Sequence, residues 1–338
     1  MKITDFDYEL PEELIAQEPI LPRDHCRLLV IRRDSENLEH RRFYDIKEYL
    51  EPGDLLVLND SKVIPARLYG HKSTGAKIEV LLIEKIHSGI WKAIVKPGSK
   101  IKKGSQLLFE KLSCQVIEHL PDSTRILKFN EPDAEEIIKE IGRLPIPPYI
   151  SKYPNDPELY QTVYAKTEGS VAAPTAGLHF TQQLLGELKD MGVNIAYITL
   201  HVGLGTFRPV KVENIEEHKM HSEFYTISEE TVEKIGKTRK NGNRIIAVGT
   251  TVVRTLESVV AENKGRLIAK SGYTDIFIYP PFEFKIVDGI VTNFHLPRST
   301  LLMLVSAFAG REKILKAYEK AVEKRYRFFS FGDACLIL

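Results

Sequence analysis

Five of the ten histidines, His179, His201, His218, His221 and His295, sit in polar stretches that interrupt otherwise core-like sequence. An imidazole titrates near pH 6.5, so both protonation states are accessible at neutral pH, and His179, His201, His221 and His295 are taken as candidate acid–base groups. Three carboxylates accompany them. Asp60 ends the apolar run Val57-Leu58-Asn59, Glu223 follows His221 by two positions, and Asp275 follows Tyr273-Thr274. Such a group can orient a histidine, or serve as an acid where burial raises its pKa.

Binding groups lie in the same stretches. Thr175 and Gly177 belong to Ser170–Thr181, where small residues let a ligand approach the backbone. Gly203 follows His201, and Gly249, Thr250, Thr251 and Arg254 open a helical pattern whose first amides could receive an anion. Asn293 and Phe294 precede His295. An aromatic ring there, or Phe282, could stack a base or face a cation.

Plainer readings stand beside these. Asn59-Asp60-Ser61 could be an Asx turn, and a histidine beside a helix start is often a hydrogen-bonded structural residue. A metal-dependent hydrolase is a rival, because His218 and His221 share a helical face and His201 could complete a zinc set. Lys219-Met220 between them supplies no carboxylate of the HExxH kind. Gly203-x-Gly205 lacks the third glycine of a dinucleotide fingerprint, which also counts against a conventional methyltransferase. A non-catalytic RNA-binding module leaves the histidines unexplained.

Two domains must position these groups, since 338 residues exceed what one hydrophobic core usually fills. Short β-rich runs at Lys77–Glu84, Trp91–Val95, Gln106–Glu110, Cys114–Glu118 and Arg125–Phe129, separated by Gly and Pro turns, predict a small barrel or sandwich. Arg143–Pro148, rich in proline, predicts a linker. Beyond Gln161, helical and strand patterns alternate: Thr181–Met191, Val193–Leu200, Glu229–Asn241, Arg244–Val248 and Thr250–Asn263. The strand-like Asp54–Leu58 suits that larger sheet. The expected fold class is therefore mixed α/β (α+β), with a larger α/β domain formed by 1–61 and 151–338 and a β-barrel-like domain inserted at 62–150.

Composition limits the partners. With 47 basic against 46 acidic side chains, any nucleic acid must be held by a local patch and not by net charge. Candidate patches are Arg23, Arg27, Arg32-Arg33 and Arg41-Arg42, then Lys100–Lys103, then Lys234–Arg244; solvated surface charge is the plainer reading of each. Three well-separated cysteines, Cys26, Cys114 and Cys335, favour a reducing compartment. Met1–Leu10 lacks signal-peptide character, and Leu301–Ala309 is too short to span a bilayer and predicts a buried helix. A cytoplasmic protein without membrane association is expected.

Long motifs in order give the chain a specific likeness. Leu14-Ile15-Ala16-Gln17 with Arg23, Asn59–Arg67, Tyr160–Ala165, Val171–Phe180, Thr199–Gly203, His218–Glu223, Ala247–Thr251, Thr274–Ile278, Thr292–Pro297 and Tyr326–Ala334 resemble the S-adenosylmethionine:tRNA ribosyltransferase-isomerases of queuosine biosynthesis. Leu204, Cys26 and Pro281-Phe282 depart from the usual pattern of alanine, serine and glycine-tyrosine. The resemblance implies that S-adenosylmethionine, consumed as co-substrate, gives its ribose to the aminomethyl group of 7-aminomethyl-7-deazaguanine at the anticodon wobble position of tRNA. Epoxyqueuosine-tRNA, adenine and methionine result, with no metal expected and the enzyme a monomer. A base must remove the C5′ hydrogen beside the sulfonium, an acid must meet the departing adenine, and Thr250, Thr251 and Arg254 would hold the methionine carboxylate.

Overall fold

Four runs, Leu55–Asn59, Ile245–Val248, Gly289–Asn293 and Ala334–Ile337, are buried at every position. Only strands covered on both faces have that pattern. In the computed structural model, which describes residues 1–154, 156–203, 210 and 212–338, they form the middle of a large sheet. The strands in chain order are β1 (Arg27–Ile31), β2 (Leu38–Arg42), β3 (Leu55–Asn59), β4 (Ser61–Val63), β5 (Arg67–Lys72) and β6 (Lys77–His87). There follow β7 (Ile90–Lys96), β8 (Gln106–Leu108), β9 (Ser113–His119), β10 (Arg125–Phe129), β11 (Thr167–Ser170) and β12 (Asn194–Leu200). The last are β13 (Glu223–Ile227), β14 (Ile245–Val248), β15 (Lys270–Thr274), β16 (Gly289–Asn293) and β17 (Ala334–Ile337). The helices are α1 (Ala134–Ile141), α2 (Gln182–Asp190), α3 (Glu229–Lys240), α4 (Thr250–Glu262), α5 (Thr300–Ala309) and α6 (Arg311–Glu323).

The described residues divide into two units, Met1–Ser61 with Pro148–Thr167 and Pro174–Leu338, and Lys62–Pro147 with Glu168–Ala173. The larger unit carries the nine-stranded sheet, ordered β15-β13-β12-β3-β14-β16-β17-β1-β2. Its strands β12, β3, β14 and β16 run parallel, so their carboxyl ends share one edge. The outer strands β2, exposed at its end, and β15, which alternates exposed and partly covered residues, carry the charges Arg41, Arg42 and Lys270, which discourage further pairing. Leu56 and Leu58 of β3 join Leu184, Leu185 and Leu188 of α2 in one core cluster. The alternate residues, Leu55 and Val57, face the opposite layer, where α3 and α4 contact β3.

The smaller unit is a closed antiparallel barrel, β10-β7-β6-β5-β8-β9. Mixed α/β architecture with a small barrel is thus what the sequence predicted. The sequence pattern missed β5, Arg-Leu-Tyr-Gly-His-Lys, because Gly70 and the exposed Tyr69 break its alternation. Gly70 is needed there, since a Cβ would come within 2.2 Å of the Leu108 carbonyl oxygen. Glu168–Ala173, read from the sequence as part of the larger domain, groups with the barrel unit.

Within the larger unit, Thr175–His179 forms a 3-10 turn leading into α2, whose N-cap Thr181 accepts from the Leu184 amide. Gly177 of this turn is small for a structural reason: the space a side chain would take is filled by the Tyr164 hydroxyl, 2.0 Å from an ideal Cβ. Gly177→Ala is therefore expected to destabilise the protein by about 1–3 kcal/mol through overpacking. Adding Tyr164→Phe should restore part of that loss, read as the urea midpoint at constant m-value.

Candidate active site

Asn59, the last residue of β3, is fully buried. Its side-chain oxygen accepts from the amides of Ser61 and Leu200 at 3.1 and 3.0 Å. Its nitrogen donates to the Leu200 carbonyl at 3.0 Å and to Thr251 Oγ1 at 3.3 Å. An amide side chain has two donors and two acceptor positions, and all four are used. The ends of β3 and β12 and the first turn of α4 are thereby tied at one point.

Around that tie stand several of the predicted site residues. Asp60 accepts from the Thr199 hydroxyl at 2.6 Å and from Thr167 at 3.4 Å, while its amide donates to the Ile198 carbonyl at 2.9 Å. His201 follows β12, with its amide on the Phe224 carbonyl at 2.9 Å and its ring stacked on Phe224 at 6.0 Å between centroids. His201 Nδ1 is buried and has no partner among the described residues. Burial lowers the pKa of this imidazole, against an opposing pull from Asp60, so its neutral form prevails at neutral pH. Glu223 accepts from the Gly203 amide at 2.8 Å and pairs with Arg254 Nη1 of α4. Both partners are buried, and Arg254 Nη2 is left unpartnered among the described residues.

Gly249 links this group to the next strand end. It is the N-cap of α4 with φ +95°, a conformation that favours glycine, and its amide donates to the Val291 carbonyl of β16 at 2.8 Å. No side chain caps α4: Thr250 is buried and Thr251 engages Asn59. A Cβ on Gly249 would lie 3.4 Å from Thr251 Oγ1 and 3.6 Å from the Ala176 methyl. Beyond it, at the end of β16, Asn293 accepts from Thr175 Oγ1 at 2.9 Å and donates to the Phe329 carbonyl at 3.1 Å.

Asn293 also donates to His179 Nε2 at 2.9 Å, which leaves the other ring nitrogen, Nδ1, to carry the proton toward Cys26 Sγ at 3.1 Å. His179 is buried against Phe43, and its pKa lies well below the ordinary value through burial, with Arg23 adding to the effect. It is a neutral, fully engaged imidazole. His295 is likewise buried, with Nε2 at 2.9 Å from Thr292 Oγ1 and a pKa pushed down to about 3 by burial. Phe294 is enclosed by Tyr318, Tyr326 and Phe328 and is fully buried, so the stacking face expected of it is closed to solvent. Phe282 is half-buried against Phe284.

Three predicted residues stay at the surface or apart. Asp275 is exposed one position beyond Thr274, which pairs with Glu223 across β15 and β13. His221 is exposed, and His218 packs edge-on to Phe277 at 5.3 Å. Among the described residues no group of three or more His, Cys, Asp or Glu side chains is arranged to hold a metal ion. Leu204, Gly205 and the rest of 204–209 lie outside the described residues. Sequence reasoning missed Asn59 as the organising side chain; its signal was a single amide ending an otherwise apolar strand.

A mixed α/β protein with polar and ionisable groups gathered at the carboxyl ends of parallel strands has the layout of an enzyme of the open-sheet class. The comparisons name it further. A family model described as "Queuosine biosynthesis protein" matches residues 3–337, and the chain belongs to that family. It is 61% identical over 342 residues to the S-adenosylmethionine:tRNA ribosyltransferase-isomerase of Thermotoga petrophila, and 58% identical over 341 residues to that of Acetivibrio thermocellus, with all of both chains covered in each case. The crystal structure of S-adenosylmethionine tRNA ribosyltransferase from Thermotoga maritima is similar with a TM-score of 0.58 and 51% identity, covering 99% of this chain and 100% of that one. Among the described residues no helix is long and apolar enough to cross a membrane.

Two measurements follow from this geometry. Removing one member of the buried Glu223–Arg254 pair strands a charge, so Glu223→Leu or Arg254→Leu alone should cost about 3–5 kcal/mol. The double substitution should cost clearly less than the sum, as measured by urea unfolding in a double-mutant cycle. For His295, the folded pKa lies below the unfolded value of about 6.5, so between pH 6.5 and 3 the unfolded chain binds the extra proton. Its contribution is complete above pH 6.5 and is lost as pH falls; His295→Gln should flatten the stability–pH slope by up to about 1.4 kcal/mol per pH unit.

Proposed function

We propose that this chain transfers and isomerises the ribosyl moiety of S-adenosylmethionine onto the aminomethyl group of 7-aminomethyl-7-deazaguanine in tRNA, with release of adenine and methionine. The modified base stands at the anticodon wobble position, and the enzyme works in the cytoplasm as a monomer. The 62–150 segment is an inserted domain. The observation that carries the reading of the site is a pair of buried nitrogens without partners among the described residues, His201 Nδ1 and Arg254 Nη2, at the two elements that Asn59 ties together, in a member of the queuosine biosynthesis family.

These groups fit the donor. Arg254 Nη2 is a cationic donor for the methionine carboxylate, and the uncapped start of α4 at Thr250 and Thr251 offers amides to the same anion. The sulfonium, when bound, acidifies the adjacent C5′ hydrogen, which then needs a base that is neutral at working pH. His201 meets that need because burial keeps its ring deprotonated. Asp60 pulls in the opposite sense, favouring the imidazolium, and therefore stabilises His201 once the proton has arrived. Glu223 aims Arg254 and the Gly203 amide. The buried His179 and Asn293, with the partly buried Thr175, form a neutral brace for the segment facing Gly249, and His295 anchors the aromatic core behind it. On this reading His179 and His295 are positioning residues.

With tRNA bearing the aminomethyl base and S-adenosylmethionine, equal amounts of adenine and methionine should appear; S-adenosylhomocysteine as the only product contradicts the proposal. His201→Ala should lower kcat at least about a hundredfold while leaving the KM for S-adenosylmethionine within about threefold. In the wild type kcat/KM should fall with decreasing pH through an apparent pKa below 6.5, and that acid limb should vanish in His201→Ala.

A further inference from the structure

Most arginines considered for RNA contact are already satisfied. Arg27 pairs with Asp333, Arg32 and Arg41 with Glu39, and Arg244 with Asp54. Arg33 lies over the Phe308 ring, and Arg42 donates to the His25 carbonyl. Arg23 differs. Its Nε donates to the Leu178 carbonyl at 3.0 Å and its guanidinium lies over Phe331 at 5.5 Å, yet Nη2 is buried with no partner among the described residues. No carboxylate lies within ion-pair distance of it among the described residues.

A second cation lies in the same segment: the Arg327 amide donates to Asp333, two residues from the Phe331 ring under Arg23, and Arg327 Nη2 donates to the Glu18 carbonyl. Arg327 is close enough for its charge to act with burial in pushing the Arg23 pKa down to about 10. Arg23 remains charged at neutral pH. The acidic groups nearby are committed elsewhere: Asp333 accepts from Arg27 and from the Arg327 amide, Glu18 pairs with Lys152, and Asp24 receives the Thr181 hydroxyl. Two guanidinium groups, one of them desolvated and short of an acceptor, form an arrangement that an anion with several oxygens completes. Leu178, which holds Arg23, adjoins His179, so this cationic pair borders the segment that packs on Gly249 and Asn293.

We propose that Arg23 and Arg327 bind a backbone phosphate of the RNA substrate and set the register of the modified nucleotide against the strand-end site. The inference rests on the tRNA reading given above. Guanidinium groups suit a phosphodiester because each presents paired N–H donors. A phosphate there replaces the missing acceptor of Arg23 Nη2 and relieves the repulsion between the two cations.

The test is binding of a tRNA transcript to the full chain from about 50 to 300 mM salt, with wild type, Arg23→Gln, Arg327→Gln and Arg23→Lys. Arg23→Gln and Arg327→Gln should each raise Kd about tenfold near 0.15 M salt and reduce the slope of log Kd against log salt by about 1. Arg23→Lys should keep the slope, because the charge is retained. The KM for S-adenosylmethionine should stay within about twofold. If Arg23→Gln fails to fold, the half-buried Arg327→Gln carries the same test. An unchanged Kd and slope in folded Arg327→Gln overturns the proposal, as does a loss confined to S-adenosylmethionine, which would assign the pair to the methionine carboxylate. Normal tRNA binding by wild type with no adenine release would instead overturn the reaction and leave the phosphate site standing.

Discussion

The buried amide of Asn59 is the constraint on which the site depends. Strands β3 and β12 are far apart in sequence, and α4 lies further still, yet one side chain at the end of β3 satisfies all its hydrogen-bonding capacity on Ser61, Leu200 of β12 and Thr251 of α4. In a region of low dielectric each of those bonds is strong, and each is costly to leave unmade. The strand ends therefore cannot drift independently. Asp60, His201 and Thr251 inherit their positions from that tie, and Glu223 extends it by joining Gly203 to Arg254.

Burial sorts the histidines into two kinds. His179 and His295 are enclosed and hydrogen-bonded through their rings, so protonating either requires opening the core. His201 is also held neutral, but less completely buried, beside a carboxylate and with a nitrogen left over. A residue of that description can take a proton and be stabilised afterwards. The same distinction separates Arg254, whose charge is paired with Glu223, from Arg23, whose Nη2 has no partner among the described residues.

Much of the architecture was legible because burial leaves a mark on composition. Leu-Leu-Val-Leu-Asn and Ile-Ile-Ala-Val could only be central strands, and Glu229–Asn241 and Thr250–Asn263 carried their helical spacing openly. The barrel strands showed in their turns, apart from β5. The site was legible as a set of segments and not as a geometry. Histidine in an apolar segment reads the same whether its ring faces a ligand or, as with His179, a cysteine and an asparagine from distant strands. Gly177 looked like room for a ligand, when the room belongs to Tyr164. Phe294 looked like a stacking face, when three other rings already cover it. Such partners are set by tertiary packing, and spacing along the chain does not encode them.

NMR of the side-chain ring resonances on adding S-adenosylmethionine reads directly which imidazole meets the donor. The His201 ring signals should shift on binding and report a neutral ring at pH 7, while those of His179 and His295, locked in the core, should hardly move. Shifts at His179 or His295 with His201 unperturbed would contradict the account.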